Sequence, residues 1–112
     1  MKKLLLLAAL VATPARADTV SQMEIAYQAL NVADFITTED CLQRGTCHEA
    51  NPLLGSHPST ARLAAFKLAV GAGHYVLMRQ IYHSNPRAAR TFEIVSIVMQ
   101  GGVVGANLRF VF

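Results

Sequence analysis

Apolar and polar residues recur with helical period along most of this chain, and two proline-marked breaks divide the pattern into three. From about Val20 to Arg44, Ile25, Ala29, Val32 and Ile36 repeat at 4-3-4 spacing, with Ala26, Leu30 and Ala33 beside them. Glu24, Gln28, Asn31, Asp34 and Thr38 fall on the opposite side. That separation predicts an amphipathic helix, with Gly45 as its stop. A second helix is expected from Pro58 to about His83, since proline suits a first helical turn. A third should follow Ser84-Asn85-Pro86, where Asn85 can cap and Pro86 can open the helix. Its end, Leu108 to Phe112, alternates in a way that an extended segment would also show. The expected fold class is all-α: an amphipathic N-terminal helix plus a helical hairpin, associated with a membrane.

The membrane expectation rests on the second and third segments. Leu63 to Tyr82 is mostly apolar but carries Lys67, His74 and Arg79, and Ile94 to Leu108 holds Gln100 and Asn107. Neither is a clean span by hydropathy. Both carry small residues four apart, Ala65, Ala69 and Gly73 in one and Gly101 and Gly105 in the other. That spacing lets membrane helices approach closely, and it also occurs in soluble bundles. Arg79, Arg87 and Arg90 surround the break between the two helices, which should then face the cytoplasm.

The first residues change the charge picture. MKKLLLLAALVATPARA has a basic start, a short apolar run and a small-x-small end, the pattern of a secretory signal peptide cleaved after Ala17. Residues 1–17 are expected to leave and 18–112 to form one small helical domain. Three of ten basic residues go with the leader, so seven remain against seven acidic ones. A neutral mature chain argues against nucleic acid as a partner. The charges are also segregated. Six acids and only Arg44 lie between Asp18 and Glu49, whereas six basic residues and only Glu93 follow. Such halves attract, which favours folding the first third back onto the rest. Removing 17 of 112 residues leaves 95, a size at which a core benefits from a staple or a membrane. An even pair of cysteines, Cys41 and Cys47, in an exported chain favours a disulfide. A thiol metal site on Cys41, Cys47 and His48 is the competing reading, without a second CxxC or HxxxH to support it.

Candidate chemistry gathers around HEANPLLGSHPST, residues 48 to 60. Asn51-Pro52 and Gly55 make turns there, and Leu53 and Leu54 can plug the helix junction. With Asn31, Asp34, Lys67 and His74, Glu49 and Asn51 form a polar set unusual for so apolar a chain. Lys67 and His74 are seven apart and share a helix face. One reading is a satisfied network in which Lys67 pairs with Asp34 or Glu49, since a buried unpaired charge is costly. The other is a site with Asp34 or Glu49 as base and His74 as acid or metal ligand. Intramembrane ionisable groups invite that suspicion, yet no GxSxG, HExxH, phosphate-loop or nucleotide motif accompanies them.

Asn31-x-x-Asp34 with Thr37 and Thr38, then Glu49-x-Asn51-Pro-Leu-Leu-Gly-x-His-Pro-Ser59, resembles a family of small bacterial membrane proteins catalogued as a domain of unknown function. With His74 and Asn107 downstream, the run looks like short exported proteins encoded in phages and prophages. The resemblance covers most of the mature chain and implies no activity. Cys41 and Cys47 fall outside the shared pattern. The signal, the neutral mature charge and the small-residue helices motivate the expectation of a small exported, non-enzymatic, membrane-associated accessory protein of phage or prophage origin, in the inner membrane facing the periplasm. No cofactor is expected, and the partners are the membrane or a membrane protein, or a second copy of the chain. Two alternatives stand beside it: a soluble periplasmic helical protein with a Glu/His acid–base or metal site, and a holin-like membrane protein. The chain ends Arg109-Phe-Val-Phe112, without a holin's usual charged tail.

Overall fold

The computed structural model describes residues 19–45, 53–55 and 57–111. Three helices account for nearly all of them: α1 (Thr19–Arg44), α2 (Thr60–Ser84) and α3 (Pro86–Val111). No strand occurs among the described residues, so the all-α expectation holds, and α3 stays helical where an extended end was also open. The leader lies outside the described residues, as do Cys47, His48, Glu49 and Asn51.

Local chemistry sets the helix ends. Gly45 adopts φ 71°, the left-handed conformation of a helix stop, and its N–H donates to the Leu42 carbonyl at 3.1 Å. Ser59, not Pro58, caps the start of α2. Its side-chain oxygen accepts from the Arg62 N–H at 3.1 Å, so Pro58 precedes the cap instead of opening the helix. Asn85 alone separates α2 from α3, and its Oδ1 accepts from the N–H groups of Arg87 and Ala88, each at 3.1 Å. Of the two junction leucines, Leu54 is buried and Leu53 is exposed.

The three helices pack lengthwise. Val20 near the start of α1 meets Met78 near the end of α2 and Ala89 at the start of α3, with Ile81, Tyr82 and Phe92 around them. Further along, Asp34 of α1 bonds Lys67 of α2 and both Gln100 and Asn107 of α3. Hence α2 runs antiparallel to its neighbours, and α1 is parallel to α3. The start of α1 and the α2–α3 turn lie at one end of the bundle, and Cys41 lies toward the other.

Which faces turn inward corrects the sequence reading. On α1 the buried residues are Val20, Glu24, Tyr27, Ala29, Asn31, Ala33, Asp34, Thr37, Thr38 and Cys41. The polar stripe therefore faces the helix partners, while Ile25 and Val32 of the apolar stripe are exposed. The other helices follow suit. Leu68 is 74% exposed, and Val98 and Met99 are 68% exposed. In water the expected amphipathic helix would bury its apolar side, but here α1 buries its polar stripe and leaves Ile25 and Val32 exposed.

The small-residue stripes are corrected as well. Ala65, Ala69, Gly73 and Gly105 are exposed, and a Cβ at Gly73 or Gly105 would meet nothing within 4 Å. Gly101 faces only Leu30, at 4.0 Å. The close approach occurs at Gly71, where a Cβ would stand 2.8 Å from Gln28 Oε1 and 3.1 Å from Asn31 Nδ2. Gly71→Leu should therefore lower the thermal midpoint by several degrees, because the α1 amides must leave their places. Gly73→Ala should leave it equal or raise it, since alanine is the better helix former by about 1 kcal/mol. Circular dichroism melts check the pair, and the reverse order would restore the predicted stripe as the packing face.

Candidate functional site: two buried polar clusters

The polar interior divides into two clusters, both bridging all three helices. The first centres on Asp34. Its carboxylate pairs with the Lys67 ammonium and accepts from Gln100 Nε2 at 2.8 Å, Asn107 Nδ2 at 2.9 Å and Thr38 Oγ1 at 3.0 Å. The Asn107 amide also lies 3.0 Å from the hydroxyls of Thr37 and Thr38. Thr37 in turn donates to the Ala33 carbonyl at 2.8 Å. Both carboxylate oxygens are thus occupied by donors, one of them charged. That is how a buried carboxylate becomes tolerable.

Between the clusters, α1 amides bind the α2 backbone. Asn31 Nδ2 donates to the Lys67 carbonyl and Gln28 Nε2 to the Gly71 carbonyl, each at 2.9 Å. These carbonyls already serve their own helix, so each takes a second hydrogen on its other lone pair. The missing side chain at Gly71 makes the approach possible.

The second cluster is Glu24, His74 and Glu93. His74 Nδ1 lies 2.8 Å from Glu24 Oε1 and 3.7 Å from Glu93 Oε1. Gln28 donates to the other oxygen of Glu24. The imidazole is sandwiched between aromatic rings, Tyr27 at 3.5 Å and 10° and Phe92 at 4.5 Å and 26° between centroids and planes. Unlike the first cluster, this one is unfinished. Glu93 is 0% exposed, and neither of its oxygens has a hydrogen-bond partner, nor does His74 Nε2.

The sequence reading is thereby sorted. Asn31, Asp34 and Lys67 come together, and among the described residues Lys67 pairs with Asp34. His74 does share the inner face of α2 with Lys67, but its partners are Glu24 and Glu93 rather than Asp34. Cys41 is buried; its expected partner lies outside the described residues, as do Glu49 and Asn51 of the predicted network. Glu24, Glu93, Gln28, Gln100 and Tyr27 were not singled out for a site. A signal for them does exist. Glu24, Asn31 and Thr38 are seven apart in sequence, as are Lys67 and His74, and Glu93, Gln100 and Asn107. Seven-residue spacing keeps a side chain on the seam between packed helices.

No family model matches the chain, and neither does any curated protein or solved structure.

The satisfied state of Asp34 makes it a structural hub, which a double-mutant cycle reads. Asp34→Asn should cost on the order of 3–5 kcal/mol, because it strands the Lys67 charge among buried groups. Adding Lys67→Met should recover part of that loss, since both charges are then gone. Denaturation of the wild type, both single variants and the double variant supplies the comparison. Strictly additive losses would show that the pair is not coupled.

Proposed function

We propose that the protein is a small exported, non-enzymatic accessory protein of the inner membrane, in which α3 crosses the bilayer as part of the α2–α3 hairpin and the amphipathic α1 packs along it. The observation that carries this reading is the inverted face pattern. Glu24, Asn31, Asp34, Thr37, Thr38 and Glu93 are buried, while Ile25, Val32, Leu68, Ile94, Val98 and Met99 are exposed. α3 is long and apolar enough to cross a membrane over Pro86–Arg109, and only 11% of its most apolar stretch is buried. The core helix of a soluble protein would be mostly covered. Among the described residues α3 alone meets both tests, and at 26 residues it is about 39 Å long, enough for a hydrocarbon core of ~30 Å with some tilt.

The bilayer also gives the inversion its energetic reason. A charged residue at mid-membrane costs about 2.5–3.5 kcal/mol on insertion scales. Asp34, Lys67, Glu24 and Glu93 avoid lipid by facing the bundle. Hydrogen bonds between helices add modestly, on average ~0.6 kcal/mol each. The arginines lie toward the ends, Arg79, Arg87 and Arg90 at one and Arg44, Arg62 and Arg109 at the other. Among the described residues that is three arginines at each end.

Extraction of membranes with alkaline carbonate tests the proposal. The protein should remain in the pellet and enter solution only with detergent, and release by osmotic shock alone would sink the reading in favour of a soluble periplasmic bundle. A substitution sharpens it. Val98→Lys on the outer face should reduce the membrane-inserted fraction, since lysine at mid-span costs about 3 kcal/mol. In a soluble bundle the same change would be neutral or improve solubility.

A further inference from the structure

From the geometry we infer a divalent metal site formed by Glu24, His74 and Glu93. The ligand atoms these side chains offer lie within 4.8 Å of one another. Two of the distances, 2.8 Å and 3.7 Å from His74 Nδ1 to the carboxylates, bracket the ~3.3 Å edge of a tetrahedron whose bonds are ~2.0–2.1 Å, as around zinc.

Independent of this clustering is the state of Glu93. Glu93 is fully buried and receives no hydrogen bond from an amide, hydroxyl or ammonium group; its carboxyl neighbour is Glu24, and burying a carboxylate in such company is costly. The first cluster shows how the same interior treats a carboxylate it means only to bury: Asp34 receives an ammonium, two amides and a hydroxyl. Glu93 receives none of these and is directed at an imidazole and a second carboxylate. A cation bound there would supply the missing partner.

The surroundings are those of a ligand set held in place. Tyr27 and Phe92 fix the plane of the imidazole from both faces, and the Gln28 amide fixes Glu24. Such outer partners orient metal ligands and tune their affinity. One nitrogen and two carboxylates favour zinc, manganese or ferrous iron. The absence of thiolate argues against copper(I), and imidazole argues against calcium or magnesium. Three protein ligands leave at least one coordination position for water or a small anion. The inference stands on three side chains and does not require the helices to cross a membrane.

Full-length protein purified in mild detergent, stripped with chelator, incubated with Zn²⁺ and desalted should retain one zinc per chain. Glu93→Gln and Glu24→Gln should each weaken retention at least tenfold, whereas His83→Asn, at an exposed histidine outside the cluster, should not. Helical circular dichroism equal to wild type establishes that the loss is not unfolding. If one glutamine variant fails to fold, the other carries the comparison. Loading with Co²⁺ gives a second readout, visible ligand-field bands in wild type that vanish in Glu93→Gln. Absence of retained metal in wild type, or retention and bands unchanged by Glu93→Gln, overturns the assignment. Neither result bears on carbonate extraction, so the two proposals fail separately.

Discussion

Asp34 draws its hydrogen-bond donors from every helix of the bundle: Thr38 from α1, Lys67 from α2, Gln100 and Asn107 from α3. A single carboxylate so placed constrains the rotation of each helix about its own axis. Turning any one of them would withdraw a donor and leave charge in a low-dielectric interior, where an unpaired group is far more costly than in water. Apolar contacts alone give no such constraint, because the outer faces of these helices are themselves apolar. The polar interior is therefore what makes the inward face differ from the outward one.

The same interior holds two carboxylates beside one imidazole. Electrostatics explains why the clusters differ. In the first, one acid meets one base and a set of neutral donors. In the second, Glu24 and Glu93 flank His74, and no amide, hydroxyl or ammonium group donates to Glu93. An arrangement required only for stability would replace Glu93 with an apolar residue of similar volume, since such replacements are often neutral or stabilising. Retaining an unsatisfied acid fits a ligand better than it fits packing.

Much of this was legible beforehand. Proline, asparagine and glycine marked the helix boundaries to within two residues, because capping is a local matter. The charge segregation foretold that α1 would fold back on the remainder, and Asp34–Lys67 is its realisation. What could not be read from α1 by itself was which stripe faces inward. Periodicity separates Ile25, Val32 and Ile36 from Glu24, Asn31 and Asp34, but the solvent decides which side is hidden. The small-residue stripes failed for a related reason. Spacing identifies a smooth helix face, not the neighbour that uses it, and the backbone approach came instead at Gly71. Glu93 looked like an isolated acid in a basic half because its partners lie 50 or more positions away in α1 or on the preceding helix.

One linker residue, Asn85, joins α2 to α3, whereas α1 is tethered through the much longer stretch between Gly45 and Thr60. The hairpin is thus a covalently registered pair, and α1 is the more independent element. Both acids that face Lys67 and His74 directly, Asp34 and Glu24, belong to α1. Until α1 docks, the hairpin holds a cation and an imidazole without those counter-charges. Assembly of the interior is in this sense a neutralisation reaction between two pieces of one chain, and its driving force is concentrated in the seam that α1 closes.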